Sequence, residues 1–156
     1  MQNDVVKGAQ PSADAITNCM RTLKNTLSVW LIADSTELEE AVLAIASEFD
    51  HLDATDFLIL EMPLLEEKNV EIAETPGQTP YKAFISSHRD IVKLDYVSLG
   101  ATAEVMVESI RRHYHERFTR GQLKRLLQQG IDDGRIQPTD LKESVRTKLL
   151  STLSTS

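Results

Sequence analysis

A cluster of cationic residues lies between residues 111 and 125, in a chain whose net charge is -7. Guanidinium and ammonium groups at this density can neutralise the phosphates of a nucleic acid or the carboxylates of an acidic protein surface. The residues from which we predict a partner-binding surface are Arg111, Arg112, His115, Arg117, Arg120, Lys124 and Arg125. The structural alternative is that these side chains are simply solvated on the outer faces of two helices and bind no partner.

The distribution of charge along the chain bears on which partner this cluster would bind. Residues 1–100 contain 7 Lys and Arg against 17 Asp and Glu, a net charge of -10, whereas residues 101–156 contain 10 against 7, a net charge of +3. Such asymmetry suits docking between acidic and basic protein surfaces. We therefore expect a protein partner or self-association, with nucleic acid as the less favoured alternative. Whether the acidic segment 34–74 docks on the cluster at 111–125 stays open.

The histidines and acidic loops do not have the spacing of a metal site. His113 and His115 are two residues apart, and on a helix their side chains would diverge by about 200°, which prevents them from binding one ion. His51 lies among Asp50, Asp53 and Asp56, but this loop lacks the glycine and the closing glutamate of a calcium-binding loop. We predict no metal and no cofactor.

Motifs that would indicate catalysis are also missing. The six glycines form neither G-x-G-x-x-G nor G-x-x-x-x-G-K, and no nucleophile lies beside a base in a recognised arrangement. The segment at 88–95 matches the kinase catalytic loop only superficially, because Asp95 stands where an asparagine would hold magnesium. We predict no catalytic residue and favour a non-enzymatic interaction or regulatory protein. A nucleic-acid-associated protein is the alternative, and an enzyme with an unrecognised site is the third hypothesis.

The first half of the chain is predicted to supply a small sheet. Short apolar segments at 28–33 and 56–61 are typical of buried strands, and the residues at 35–49 have the apolar spacing of a helix. A strand, a helix and a second strand in this order indicate a β-α-β crossover and therefore a parallel pair of strands. An earlier helix from Pro11 through Leu27 is predicted from the spacing of its apolar residues.

The second half is predicted to be helical. Residues 80–94 have helical spacing, although residues 80–99 also fit a strand. Apolar stripes then predict a helix over 101–118, a helix that Thr119 and Gln122 cap and Gly134 closes, and a last helix starting near Pro138. In that last helix the residues expected to face inward are Leu141, Val145 and Leu149.

Together these elements predict an α+β fold with a sheet of two to four strands, flanking helices and a helical C-terminal half. The length of 156 residues suits a single domain, with loose termini at about 1–10 and 151–156 and a possible internal seam near residue 100. No apolar run approaches the roughly 20 residues of a membrane helix, so we expect a soluble protein. The single Cys19, predicted to be buried, favours the cytoplasm.

Overall fold

The computed structural model describes residues 16, 17, 20 and 22–153. The environment of Cys19 and most of the helix predicted from Pro11 lie outside these residues. Contacts divide the chain into two compact units. The described residues of the first unit lie within Met1–Val29, Asp56–Glu74 and Asp90–Glu116, and those of the second within Trp30–Thr55, Thr75–Arg89 and Arg117–Ser156. The single domain and the seam near residue 100 stay predictions.

The described part of the chain contains five strands: β1 (Leu27–Trp30), β2 (Thr55–Leu58), β3 (Ile72–Glu74), β4 (His88–Ile91) and β5 (His115–Phe118). They form two antiparallel sheets, one with the order β1-β4-β3 and the other pairing β2 with β5. The α+β class is confirmed. The predicted parallel pair is wrong, because the strands predicted at 28–33 and 56–61 belong to different sheets and each pairs with a strand that comes later in the chain.

Strand β4 is the central strand of the three-stranded sheet. On one side, the Leu31 amide donates to the Ser87 carbonyl at 2.8 Å, which sets the register with β1. On the other side, the Val92 amide donates to the Glu71 carbonyl at 2.9 Å, which sets the register with β3. In an antiparallel ladder, backbone groups of successive residues bond to opposite sides. The odd-numbered residues of β4 therefore direct their amides and carbonyls toward β1, and the even-numbered residues direct theirs toward β3.

The α-helices of the described residues are α1 (Leu38–Ala46), α2 (Met62–Glu67), α3 (Tyr96–Arg111), α4 (Arg120–Asp132) and α5 (Glu143–Leu153). Helix α1 confirms the helix predicted at 35–49. The helix predicted at 80–94 is wrong, because this segment forms a 3-10 turn at Lys82–Ser87 and then β4. Its apolar spacing fits either structure, and pairing with two neighbouring strands selects the extended form.

Leu23 and Thr26 form a tight turn where the sequence predicts a continuing helix. Their backbone amides and carbonyls exchange hydrogen bonds of 3.1 and 3.0 Å. The two residues between them, Lys24 and Asn25, have positive φ angles of 53° and 61°, which is the conformation required by a two-residue hairpin turn. The predicted helix therefore does not extend through Leu27, which begins β1.

The helix predicted at 101–118 ends at Arg111 instead. The Tyr114 amide donates to the Ser109 carbonyl at 2.8 Å and the His113 amide donates to the Ile110 carbonyl at 3.0 Å, while His113 has a positive φ of 60°. These are the hydrogen bonds of a Schellman motif, in which a residue in the left-handed conformation ends the helix. Strand β5 follows and interrupts the predicted helical C-terminal half.

Each unit has its own apolar core. In the first unit the buried cluster is formed by Leu65, Val70, Ile91, Leu94 and Val105. In the second unit Ala41, Ala44 and Phe84 form a cluster against which Trp30 and Tyr81 pack. Leu141, Val145 and Leu149 are buried as predicted, but the last helix begins at Glu143 and not near Pro138, where the chain forms a 3-10 turn, so Leu141 precedes the helix. Among the described residues, no helix is both long and apolar enough to cross a bilayer.

Candidate interaction site

The predicted cationic surface is divided between the two units. Arg111, Arg112 and His115 belong to the first unit, and the remaining four residues belong to the second. The structure distributes them over three elements: Arg111 ends α3 and Arg112 follows it as the C-cap, His115 and Arg117 lie on β5, and Arg120, Lys124 and Arg125 lie on α4. Each group is therefore described by itself.

Arg112 is the member of the cluster whose charge is already balanced. Its Nη1 donates to Glu61 Oε2 at 2.6 Å and its Nε donates to Glu108 Oε1 at 2.8 Å. These carboxylates, Glu108 first, raise the pKa of the Arg112 guanidinium above its usual value. Glu61 lies in the acidic segment 34–74, so at this position that segment does meet the cluster. By pairing with Glu61 and Glu108, Arg112 has a structural role within the first unit.

His115 is half-buried in β5. Its Nδ1 atom is buried and has no hydrogen-bond partner among the described residues. His113 precedes it in the left-handed conformation, so the two histidines do not lie on a helix as the sequence predicts. Within the described ranges, no group of three or more His, Cys, Asp or Glu side chains is arranged to hold a metal ion.

The four residues of the predicted cluster that belong to the second unit lie around the start of α4. Thr119 caps this helix as predicted: its Oγ1 accepts from the Gln122 amide at 3.2 Å, and the Gln122 side chain accepts from the Thr119 amide at 2.8 Å. Arg120, the first residue of the helix, is exposed, as is Arg125. Half-buried Lys124 donates to the Lys148 carbonyl at 3.5 Å.

The charges of α4 run against the helix dipole. A helix is stabilised by acids at its N-terminus and cations at its C-terminus, but α4 begins with Arg120 and ends with Asp132. The acids at its end have partners, since Gln128 Nε2 donates to Asp132 at 2.8 Å and Arg135 donates to Asp133 at 3.1 Å. Arg120 and Arg125 have no carboxylate partner among the described residues. Their positive charge is therefore left uncompensated.

A groove of about 510 Å³ lies in the first unit between α2 and α3. The residues that line it are Leu64, Lys68, Ala103, Glu104, Val105, Val107, Glu108 and Arg111. Lys68 and Glu104 form an ion pair across it, and Glu104 raises the pKa of the Lys68 ammonium. Arg111, which the sequence assigns to the partner-binding surface, therefore lies in a concave site and has no carboxylate partner among the described residues.

The sequence missed the apolar lining of this groove. The apolar stripe from which the helix at 101–118 was predicted includes Ala103, Met106, Val107 and Ile110. Met106 and Ile110 are buried as predicted, but Ala103 and Val107 are only half-buried. The core positions are taken by Thr102 and Ser109, whose hydroxyls donate to the carbonyls one turn earlier, Thr102 to Ser98 at 2.8 Å and Ser109 to Val105 at 3.0 Å. A hydroxyl that is hydrogen-bonded within its own helix can be buried. Counting Thr and Ser as possible core residues would therefore have indicated the observed buried face.

The second unit also contains a polar network that the sequence did not indicate. The Tyr81 hydroxyl donates to Glu40 Oε2 at 2.5 Å, and Arg135 Nη1 donates to Glu40 Oε1 at 2.7 Å. Burial, together with the Glu40 carboxylate, raises the pKa of the Tyr81 phenol. The Arg135 Nε atom is buried and has no hydrogen-bond partner within the described part of the chain. Both oxygens of Glu40 accept a hydrogen bond, so this carboxylate links Tyr81 to Arg135 within the second unit.

No protein-family model, curated protein or solved structure matches this chain.

Proposed function

We propose that this protein is a non-enzymatic interaction protein that binds an acidic surface of a protein partner through the cations around the start of α4. The observation that carries the proposal is the arrangement of charge on this helix. Arg120 and Arg125 are exposed and have no carboxylate partner among the described residues, and Arg120 lies in the first turn, where the helix dipole disfavours a cation. An acidic partner would supply the carboxylates that α4 lacks.

A protein partner fits these cations better than a nucleic acid does. Specific nucleic-acid interfaces use an extended set of cations over roughly 1,000 Å² or more of protein surface. Of the four cluster residues in the second unit, Arg117 already interacts with another residue and Lys124 donates to a backbone carbonyl, which leaves Arg120 and Arg125. Two arginines can pair with an acidic side chain each and set the orientation of a partner. The single cysteine suits a reducing compartment, and a cytoplasmic location is part of this proposal.

The proposal is tested by comparing proteins that co-purify with the wild type and with a charge-reversed variant. A specific partner should be recovered with the wild type. The amount recovered should fall by about tenfold or more with Arg120→Glu combined with Arg125→Glu, because like charges would then face each other. Lys82→Glu is the matched control, since Lys82 is an exposed cation of the same unit outside α4. Its partner recovery should equal that of the wild type.

The nucleic-acid alternative is measured on the same proteins. Fluorescence anisotropy with a labelled single strand and a labelled duplex, each at low and high salt, reports phosphate contacts through the salt dependence of affinity. We expect no salt-dependent binding of either probe. Binding that weakens steeply with salt and is lost in the α4 variant would overturn the protein-partner proposal. Equal recovery of every co-purifying protein with both charge variants would overturn it as well.

A further inference from the structure

Helix α3 has an apolar face beside its buried residues that is only partly covered. Tyr96, Gly100, Ala103 and Val107 recur at spacings of four, three and four residues and therefore lie on one side of the helix. Tyr96 is 87 % exposed, and the adjacent Val97 is 61 % exposed. Gly100 is exposed as well, whereas Ala103 and Val107 are half-buried. The described residues therefore cover this face only in part.

The charged residues beside this face identify what could cover it. Glu104 and Arg111 both line the groove between α2 and α3, and they are seven residues apart, or roughly 10 Å along the helix. Arg111 has no carboxylate partner among the described residues. Glu104 is paired with Lys68, but a carboxylate has two oxygens and can accept from a second cation. Among the described residues, the groove thus presents one free cation, Arg111, and two carboxylates, Glu104 and Glu108, each of which is paired with one cation of its own chain.

This pattern is complementary to itself. If a second α3 lies antiparallel in the groove, with the two-fold axis between Val107 and Glu108, each Arg111 faces Glu104 of the other copy. The same operation places Val107 of each copy against Glu108 of the other, beside Leu64 of α2, while Glu108 keeps its ion pair with Arg112 of its own chain. A two-fold interface requires such self-complementarity, because the same surface is used twice.

We propose that two copies of this chain associate through the groove between α2 and α3, with their α3 helices antiparallel and with Arg111 of each copy paired to Glu104 of the other. This surface is separate from the cations of α4. Arg120→Glu combined with Arg125→Glu should therefore leave self-association unchanged, and the failure of one proposal would not imply the failure of the other.

The experiment is sedimentation equilibrium of the full chain and of charge-reversed variants. The wild type should have twice the mass of one chain. Glu104→Arg and Arg111→Glu should each weaken association by about tenfold or more, because each places like charges opposite each other. The double variant with both substitutions restores both pairs in reversed orientation and should dimerise again. Val107→Asp, at the centre of the interface, should be monomeric.

Two controls separate this interface from the stability of the monomer. Lys68→Ala removes the same ion pair within the chain that Glu104→Arg removes, but it leaves the contact between copies and should remain dimeric. Circular dichroism of each variant verifies that it is folded. A wild type that is monomeric at its highest soluble concentration would overturn the proposal. A dimer that persists in both single charge variants, or one that the double variant fails to restore, would overturn it too.

Discussion

Gly130 of α4 lies directly against Leu43 of α1 inside the second unit. A Cβ atom added at Gly130 would come within 2.9 Å of Leu43 Cδ1 and 3.1 Å of Leu43 Cδ2. Leu43 is fully buried, so its side chain has no free space into which it could move. The missing side chain at position 130 therefore sets how closely these two helices approach.

Gly130→Ala should destabilise the protein. Alanine is favoured over glycine in a helix by about 1 kcal/mol, but overpacking a buried contact costs about 1 to 3 kcal/mol. Because Leu43 is enclosed, we expect the packing cost to exceed the gain in helix propensity. Urea denaturation would measure the net change. Gly121→Ala is the matched control: it lies in the same helix with nothing within 4 Å of the added Cβ. It should be neutral or stabilising, and equal effects at both positions would contradict the packing argument.

Thr119→Ala should weaken the start of α4. The substitution removes the oxygen that accepts from the Gln122 amide and leaves that amide without its cap. Loss of an N-cap side chain costs about 1 kcal/mol. Thr119→Ser keeps the hydroxyl and should retain most of the stability. The free energies of unfolding of the two variants, measured in urea, should differ by about the cost of the cap, and identical values would contradict the role assigned to Thr119.

Asp95 should make the stability of the protein depend on pH. Its carboxylate accepts from the amides of Ser98 and Val97 at the start of α3, and these bonds, with Ser98 first, lower its pKa below the usual 3.8. A lowered pKa in the folded state means that the stabilisation is complete above the usual value and is lost as pH falls through the lowered one. Asp95→Asn keeps a good cap but does not titrate. The wild type should be the more stable at neutral pH, and the difference should disappear in acid.

The measurement for Asp95 is a series of urea denaturation curves of both proteins from neutral to strongly acidic pH. The difference between the two midpoints is informative, because it removes the contributions of all other titrating groups. A difference that stays constant down to the lowest pH would contradict a role for the ionised carboxylate.

Tyr81→Phe should destabilise the second unit. The substitution removes the hydroxyl that donates to Glu40 while Arg135 keeps its own contact with the same carboxylate. A hydrogen bond to a charged group contributes about 1.5 to 3 kcal/mol, and we expect a loss near the lower end because Glu40 retains one partner. Tyr96→Phe is the control, since Tyr96 is 87 % exposed. Its unfolding free energy should stay within about 0.5 kcal/mol of the wild type.

Features that depend on a few adjacent residues were predictable from the sequence. Thr119 and Gln122 cap each other across a single turn, and Gly134 ends α4 with a φ of 72°. Such signals are local, because the hydrogen-bond donor, the acceptor and the required backbone conformation all lie within four or five positions. The inward face at Val145 and Leu149 was predictable for the same reason, since it follows from helical spacing, whereas Leu141 is buried just before the helix begins.

Features that depend on distant residues were not predictable. His113 ends α3 in the same way as Gly134 ends α4, but a histidine at positive φ has no signature in the sequence. Strand β4 has the apolar spacing of a helix and is extended because two other strands pair with it. The groove that contains Arg111 went unrecognised because Thr102 and Ser109 occupy core positions and turn Ala103 and Val107 outward.

Two constraints fix the register of β4 with its neighbouring strands: the alternation of its hydrogen bonds and the burial of Ile91. Its odd-numbered residues are bonded toward β1 and its even-numbered residues toward β3, while Ile91 must stay in the core. Insertion or deletion of one residue in β4 would exchange the two bonding partners and at the same time turn Ile91 out of the core. Viable length variation should therefore be confined to the turns on either side of this strand, and β4 itself tolerates substitution but no change in its number of residues.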